Sequence, residues 1–183
     1  WAFIGMGEGA RAVAAARSAL EIEPDNMWCH YHLGHGLTAA GDYRAAARSY
    51  ETVLASHPDE TWAHYHAGHV LALAGDPGAA RVHLLAFRDG MEKLAAAQPG
   101  NPVAGIWLEI ARVSLGEAPR PVEIPEQAAA DPEIEVALAQ LDALSGRPQQ
   151  AIDRLERALA NGAQNPIWVL CIPTLDSLHD EPR

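Results

Sequence analysis

Residues 28–35, WCHYHLGH, are followed 34 positions later by residues 62–69, WAHYHAGH. Each octet carries three histidines, so six of the nine in the chain fall in two short stretches. Imidazole changes charge near neutral pH and is a common ligand for zinc, copper and nickel. In each octet two histidines stand three apart, His32 with His35 and His66 with His69, a spacing that shares one helix face. Those four imidazoles could hold a metal ion or small ligand, line a binding surface, or merely mark a duplicated unit. No acidic residue or cysteine at metal-type spacing joins them, and equivalent atoms of adjacent repeats usually stand too far apart to share one ion. Duplication explains the pattern without a metal, so no cofactor is expected.

The elements that must carry these residues follow from the same period. Gly7, Gly41 and Gly75 are spaced by 34 and 34, and the step also relates Pro24 to Pro58, Trp28 to Trp62, Tyr31 to Tyr65 and Gly34 to Gly68. Each unit reads as two helices, such as MWCHYHLGHGLTAA and YRAAARSYETVLASH. Gly41-Asp42 makes the turn between them and Pro58 ends the second. The period then stretches: Pro58 to Pro99 and Gly75 to Gly116 are both 41, or 34 plus two helical turns, which predicts one lengthened helix from about Gly78 to Ala97. EAPRPVEIPEQ, with three prolines, predicts an irregular connection before a last pair, PEIEVALAQLDAL and PQQAIDRLERALANG.

With the proline at repeat position 32, the chain resembles a tetratricopeptide repeat (TPR) protein. Leu33-Gly34 and Leu37 match the first helix of the repeat, and Ala46, Tyr50, Leu54 and Pro58 the second. Gly68, Leu71, Gly75, Ala80, Leu84 and Phe87 form the next copy. The resemblance implies an all-α, right-handed TPR-type α-solenoid of about four to five antiparallel helix pairs, the first incomplete. The units are a partial repeat at 1–26, repeats at 27–60 and 61–101, a degenerate repeat at 102–131 with Glu109 at a small-residue position, a repeat at 132–162, and a tail at 163–183. In the partial repeat, GEGARAVAAARSALEIEPDN reads as a second helix whose predecessor is cut short at Trp1, so the chain reads as part of a longer protein. The tail looks like the endings that close TPR arrays in bacterial class III adenylate cyclases and related signalling proteins. Asp176, Leu178, Pro182 and Arg183 match that ending, Glu181 departs from it, and its final Phe is missing.

Composition narrows the function. The formal charge of -11 argues against nucleic-acid and anionic-membrane surfaces, which need clustered Lys and Arg. No apolar run approaches about 18 residues, so no transmembrane helix is expected. Cys29 and Cys171, 142 positions apart, fit a reduced, cytoplasmic chain. A single lysine against twelve arginines is the usage of a GC-rich bacterial genome. No Gly-rich phosphate loop, GxSxG or HExxH is present, so the expectation is a non-catalytic protein.

On a wheel of about 100° per residue, His30, Leu33, Gly34 and Leu37 share one side, and Trp28, Tyr31 and His35 the other, with His32 at its edge. The resemblance implies that the first side packs and the second lines a concave groove. His30 and His64, standing where the family usually keeps a Trp, are then core histidines hydrogen-bonded to a neighbour. The expected groove is Asn26, Trp28, Tyr31, His32, His35, Glu60, Trp62, Tyr65, His66 and His69. The alternative metal set is His32, His35, His66 and His69. Basic residues of a carboxylate clamp are missing from positions 2, 5 and 6. The expected partner is therefore a neutral-to-basic or apolar protein or peptide segment, whose binding should weaken as histidines protonate below about pH 6.5. The chain would serve inside a larger bacterial signalling or scaffold protein. The other readings are a metal- or small-ligand module, or the regulatory arm of an enzyme such as a nucleotide cyclase.

Overall fold

The computed structural model describes residues 2–129, 131–163 and 172–178, and among these there are eight α-helices and no strand. They are α1 (Ala2–Ile22), α2 (Met27–Ala39), α3 (Tyr43–Ser56), α4 (Thr61–Leu73), α5 (Pro77–Ala97), α6 (Pro102–Ser114), α7 (Pro132–Leu144) and α8 (Pro148–Ala160). Short 3-10 turns occur at Glu126–Ala128 and Pro173–Leu178. None of the described helices is long and apolar enough to cross a membrane. Trp1, Cys171, Glu181, Pro182 and Arg183, all singled out above, lie outside the described residues.

Each boundary has a local cause. Gly41 and Gly75 adopt φ of 77° and 78°, the left-handed conformation that ends a helix and that only glycine enters at little cost. The aspartate that follows caps the next helix: Asp42 Oδ1 accepts from the Ala45 backbone N–H at 3.1 Å, and Asp76 Oδ1 from that of Ala79 at 3.0 Å. The first helices of successive pairs are capped by Asn26, Glu60, Asn101 and Asp131, each accepting a backbone N–H of the first turn. The lengthened helix is real, since α5 has 21 residues and α3 has 14.

Contacts divide the chain into two compact units, with a break in α5 between Phe87 and Arg88 and with Ile172 and Pro173 belonging to the first unit. In the first unit α1 packs on α2, α2 on α3 and α3 on α4. The start of α5 joins through Tyr65 with Phe87, ring centroids 5.2 Å apart, and through Gly68 beneath Leu84. The repeated glycines are spaces for large side chains. A Cβ on Gly34 would lie 2.5 Å from the Tyr50 ring, and one on Gly68 would lie 2.8 Å from Leu84. In the second unit α6 packs on α7 and α7 on α8. There the Thr174 hydroxyl donates to Gln140 Oε1 at 2.9 Å, tying Thr174 to α7.

Two details depart from the sequence reading. No turn occurs at Gly7: α1 runs unbroken through it. Gly7 is followed by Glu8 rather than by a capping aspartate, and the neighbouring Gly9 serves close packing, its Cβ position lying 3.0 Å from the Gly36 carbonyl of α2. Glu109, at the position expected to be small, is buried instead. It accepts the Arg120 backbone N–H at 2.6 Å, with Arg112 at 3.7 Å, and so pins the proline-rich connection onto α6.

The two kinds of glycine should separate on substitution. Gly34→Ala should cost about 1–3 kcal/mol, because fully buried Tyr50 cannot give way. Gly41→Ala, with open space around its Cβ, should cost about 1 kcal/mol from backbone strain alone. Urea unfolding of the two variants checks the order.

Candidate functional site

α2 meets three neighbours, and its residues sort accordingly. Gly36 lies against Val13 and Ala12 of α1, Gly34 against Tyr50 of α3, and Tyr31 against both α3 and α4. The Tyr31 ring centroid is 6.0 Å from that of Tyr50 and 6.0 Å from that of His66. Tyr31 is 6% exposed, and Tyr65, its equivalent on α4, is 2% exposed. Neither tyrosine therefore faces open solvent in a groove. A one-face wheel assumes one packed side, whereas a helix in the middle of an array is covered from several.

What remains open at these positions is tryptophan. Trp28 is 64% exposed and Trp62 is 38% exposed, with His32 also exposed. Each indole leans on the tyrosine three residues later, at 5.8 Å for Trp28–Tyr31 and 6.0 Å for Trp62–Tyr65. Beneath them lies a layer of rings. His66 stacks on Tyr50 at 5.0 Å with an interplanar angle of 17°, His35 meets His66 edge-on at 4.7 Å, and His69 packs on Tyr65 at 4.7 Å. His69 is buried; His35 and His66 are half-buried.

Glu60 links the two helices. As the cap of α4 it accepts the Trp62 backbone N–H at 3.3 Å, and the same Oε1 accepts the Tyr31 hydroxyl of α2 at 3.3 Å. Burial, followed by the adjacent carboxylate, pushes the Tyr31 phenol well above its ordinary value, so it stays protonated and donates. Asn26, the equivalent cap on α2, turns inward to its own helix, accepting the Cys29 backbone N–H at 3.1 Å and donating to Glu23 at 2.6 Å.

The remaining histidines form a different device. A carbonyl oxygen only accepts, so His30 Nε2–H donates to Pro24 O at 2.8 Å, and His64 Nε2–H to Pro58 O at 3.0 Å. The expected hydrogen-bonded histidines are thus present, half-buried and clasping the turn before their own helix. With Nε2 committed, His64 Nδ1 is an acceptor, and it receives Nδ1–H of His83 on α5 at 3.0 Å. Sequence reasoning missed this pair, which couples positions 19 apart. The same two register positions recur 71 residues later as Glu135 and Arg154, an ion pair at 3.0 Å. Buried Asp142 extends that network to Arg147 and Arg154, each at 2.7 Å.

His35 Nε2 and His66 Nε2 lie 3.4 Å apart, and His66 Nδ1 is buried without a hydrogen-bond partner among the described residues. An orphan N–H costs more than an orphan lone pair, so the His66 proton sits on Nε2 and points at His35. Among the described residues no three of His, Cys, Asp and Glu converge in a metal-ligating group. His32 is exposed, its ring 6.4 Å from that of His35, while His69 packs on Tyr65. A cavity of about 630 Å³ occurs in the second unit between α6 and residues 120–125, but its one buried charge, Glu109, is already satisfied.

Residues 37–88 match the family model of the tetratricopeptide repeat. The fold is of the TPR type. The matched stretch runs from the end of α2 to the middle of α5 and holds the small-against-large contact of Gly68 with Leu84. No match was found among curated proteins. TPR repeats generally mediate protein–protein contact.

The imidazole layer sets a pH dependence opposite to an open histidine surface. Burial lowers His35 from the ordinary 6.5 to about 4 and His69 to about 3; it also lowers His66, with the charges of His35 and His69 adding. All three stay neutral across the physiological range, so the expected titration of these groove histidines near pH 6.5 does not occur in the folded chain. The unfolded chain takes up those protons near 6.5 while the native state does not. Stability is therefore full above about pH 6.5 and falls as pH drops toward 4, by up to about 1.4 kcal/mol per unit for each histidine. Melting followed from pH 7.5 to 5 should show the decline, with a shallower slope in His69→Gln; a flat profile would contradict neutral burial.

Proposed function

We propose that the first unit binds a protein or peptide segment across the face that carries Trp28, His32 and Trp62, as the non-catalytic contact module of a larger bacterial signalling or scaffold protein. The observation that carries this reading is the pair of exposed indoles at matched positions of consecutive repeats. Large apolar side chains in a packed domain are usually covered, and Trp is the residue most enriched at the energetic centres of interfaces. Here two of them are exposed while the tyrosines beside them are buried. Buried Tyr31 and Tyr65 hold the indoles in place, since each tryptophan rests on a ring that cannot move. Position-by-position repetition suits an extended partner, which meets equivalent side chains at successive repeats.

Charge sets the preference. The chain carries -11, and the helices that bear the indoles have no lysine or arginine. A neutral, apolar or basic segment is favoured over an acidic one. The buried imidazoles serve as the rigid bed of this face, and metal binding is not invoked.

Trp28→Ala combined with Trp62→Ala should abolish binding of peptides selected on the wild-type chain from a random display library, a loss of about 100-fold or more. The melting temperature should fall modestly, and through Trp62, whose ring also packs 6.1 Å from that of Phe87, rather than through the more exposed Trp28. Unchanged binding in the double variant would reject this face.

A further inference from the structure

The indole face has a carboxylate fixed within it. Trp28 rests on Tyr31, the Tyr31 hydroxyl is bonded to Glu60, and Glu60 is bonded to the backbone of Trp62. Both bonds fall on one oxygen, Oε1, so the carboxylate is oriented while its other oxygen makes no hydrogen bond or ion pair among the described residues. Nor does the surrounding sequence supply a cation. No lysine or arginine occurs between Arg17 and Arg44, or between Arg48 and Arg81. Those same intervals contain Glu21, Glu23, Asp25 and Asp42, then Glu51, Asp59, Glu60 and Asp76. An exposed indole and an oriented, uncompensated carboxylate, set in an acidic stretch, form half of an interaction whose other half is a planar cation.

We infer that Trp28, Tyr31, Glu60 and Trp62 receive an arginine side chain of the bound segment, its guanidinium lying on the Trp28 indole and bonded to the open oxygen of Glu60. This rests on the peptide-binding reading above and names the residue that the face selects. Arginine rather than lysine is specified because a guanidinium is flat, is weakly hydrated and presents paired donors. It can stack on an indole and bond a carboxylate at once, whereas an ammonium is a hydrated point charge. Tyr31 is a positioning residue here: it holds Glu60 and supports Trp28.

Fluorescein-labelled hexa-arginine and hexa-lysine, titrated by anisotropy near 0.15 M salt, test the inference on the intact chain. Hexa-arginine should bind about tenfold more tightly than hexa-lysine. Glu60→Gln, which keeps an oxygen to cap α4, and Trp28→Ala should each weaken hexa-arginine about tenfold. Glu156→Gln, on an exposed face of α8, should change it less than about twofold. Equal binding of the two peptides, or an equal loss in Glu156→Gln, would show plain attraction to a negative chain and overturn the inference. Display-selected peptides separate it from the broader reading. If arginine-free peptides bind and are lost in Trp28→Ala with Trp62→Ala, peptide binding stands and the arginine site falls. If no selected peptide depends on either indole, both fall.

Discussion

The first unit depends on one constraint: the Tyr31 ring must fit where three helices meet. Tyr31 fills that place between α2, α3 and α4, touching Tyr50 and His66, while Tyr65 is buried against His69 of its own helix and Phe87 of α5. Gly34 and Gly68 have no side chain, which lets Tyr50 and Leu84 settle against the helix backbone. A small residue on one helix and a large one on its partner set the helix spacing, and the tyrosine seals the seam to the following pair. Close packing of this sort tolerates little change in volume on either side.

The exposed surface follows from that seal. With Tyr31 and Tyr65 drawn inward, the tryptophans three positions earlier are left outside and resting on them. The histidines, which looked like the chemistry of the chain, fill spaces within the layer and clasp turns. His30 and His64 tie their helices to the preceding prolines, and His64 with His83 holds α4 against α5. That Glu135 and Arg154 occupy the same register positions in the last pair shows what the site requires: one hydrogen-bonding partner on each helix, whatever its chemistry.

Much of this was legible in the residues. The 34-residue step marks the helix pairs; Gly41-Asp42 and Gly75-Asp76 mark the turns; the 41-residue interval marks the longer α5. Gly7 misled because a turn needs both the glycine and the capping aspartate, and only the glycine is there. The wheel identified Leu37 and Gly34 as packed, but it treated α2 as having a single covered side, so it assigned Tyr31 and Tyr65 to an open groove. Which neighbour reaches a given position depends on how consecutive pairs stack. The Glu60–Tyr31 bond joins residues 29 apart, and the His64–His83 pair residues 19 apart; local periodicity contains neither. Glu109 stands out at a small-residue position, but its role is not legible there, since its partner is a backbone N–H in a loop without periodicity.

The central claim is that the tyrosines are core and the tryptophans surface, and Tyr31→Ala decides it most directly. Urea unfolding should show a loss of about 3–5 kcal/mol, the cost of deleting a buried aromatic ring. Trp28→Ala measured alongside should stay within about 1 kcal/mol of the wild type. If Tyr31→Ala unfolds like the wild type, Tyr31 does not seal the seam, and the division into a buried ring layer and an exposed indole face is wrong.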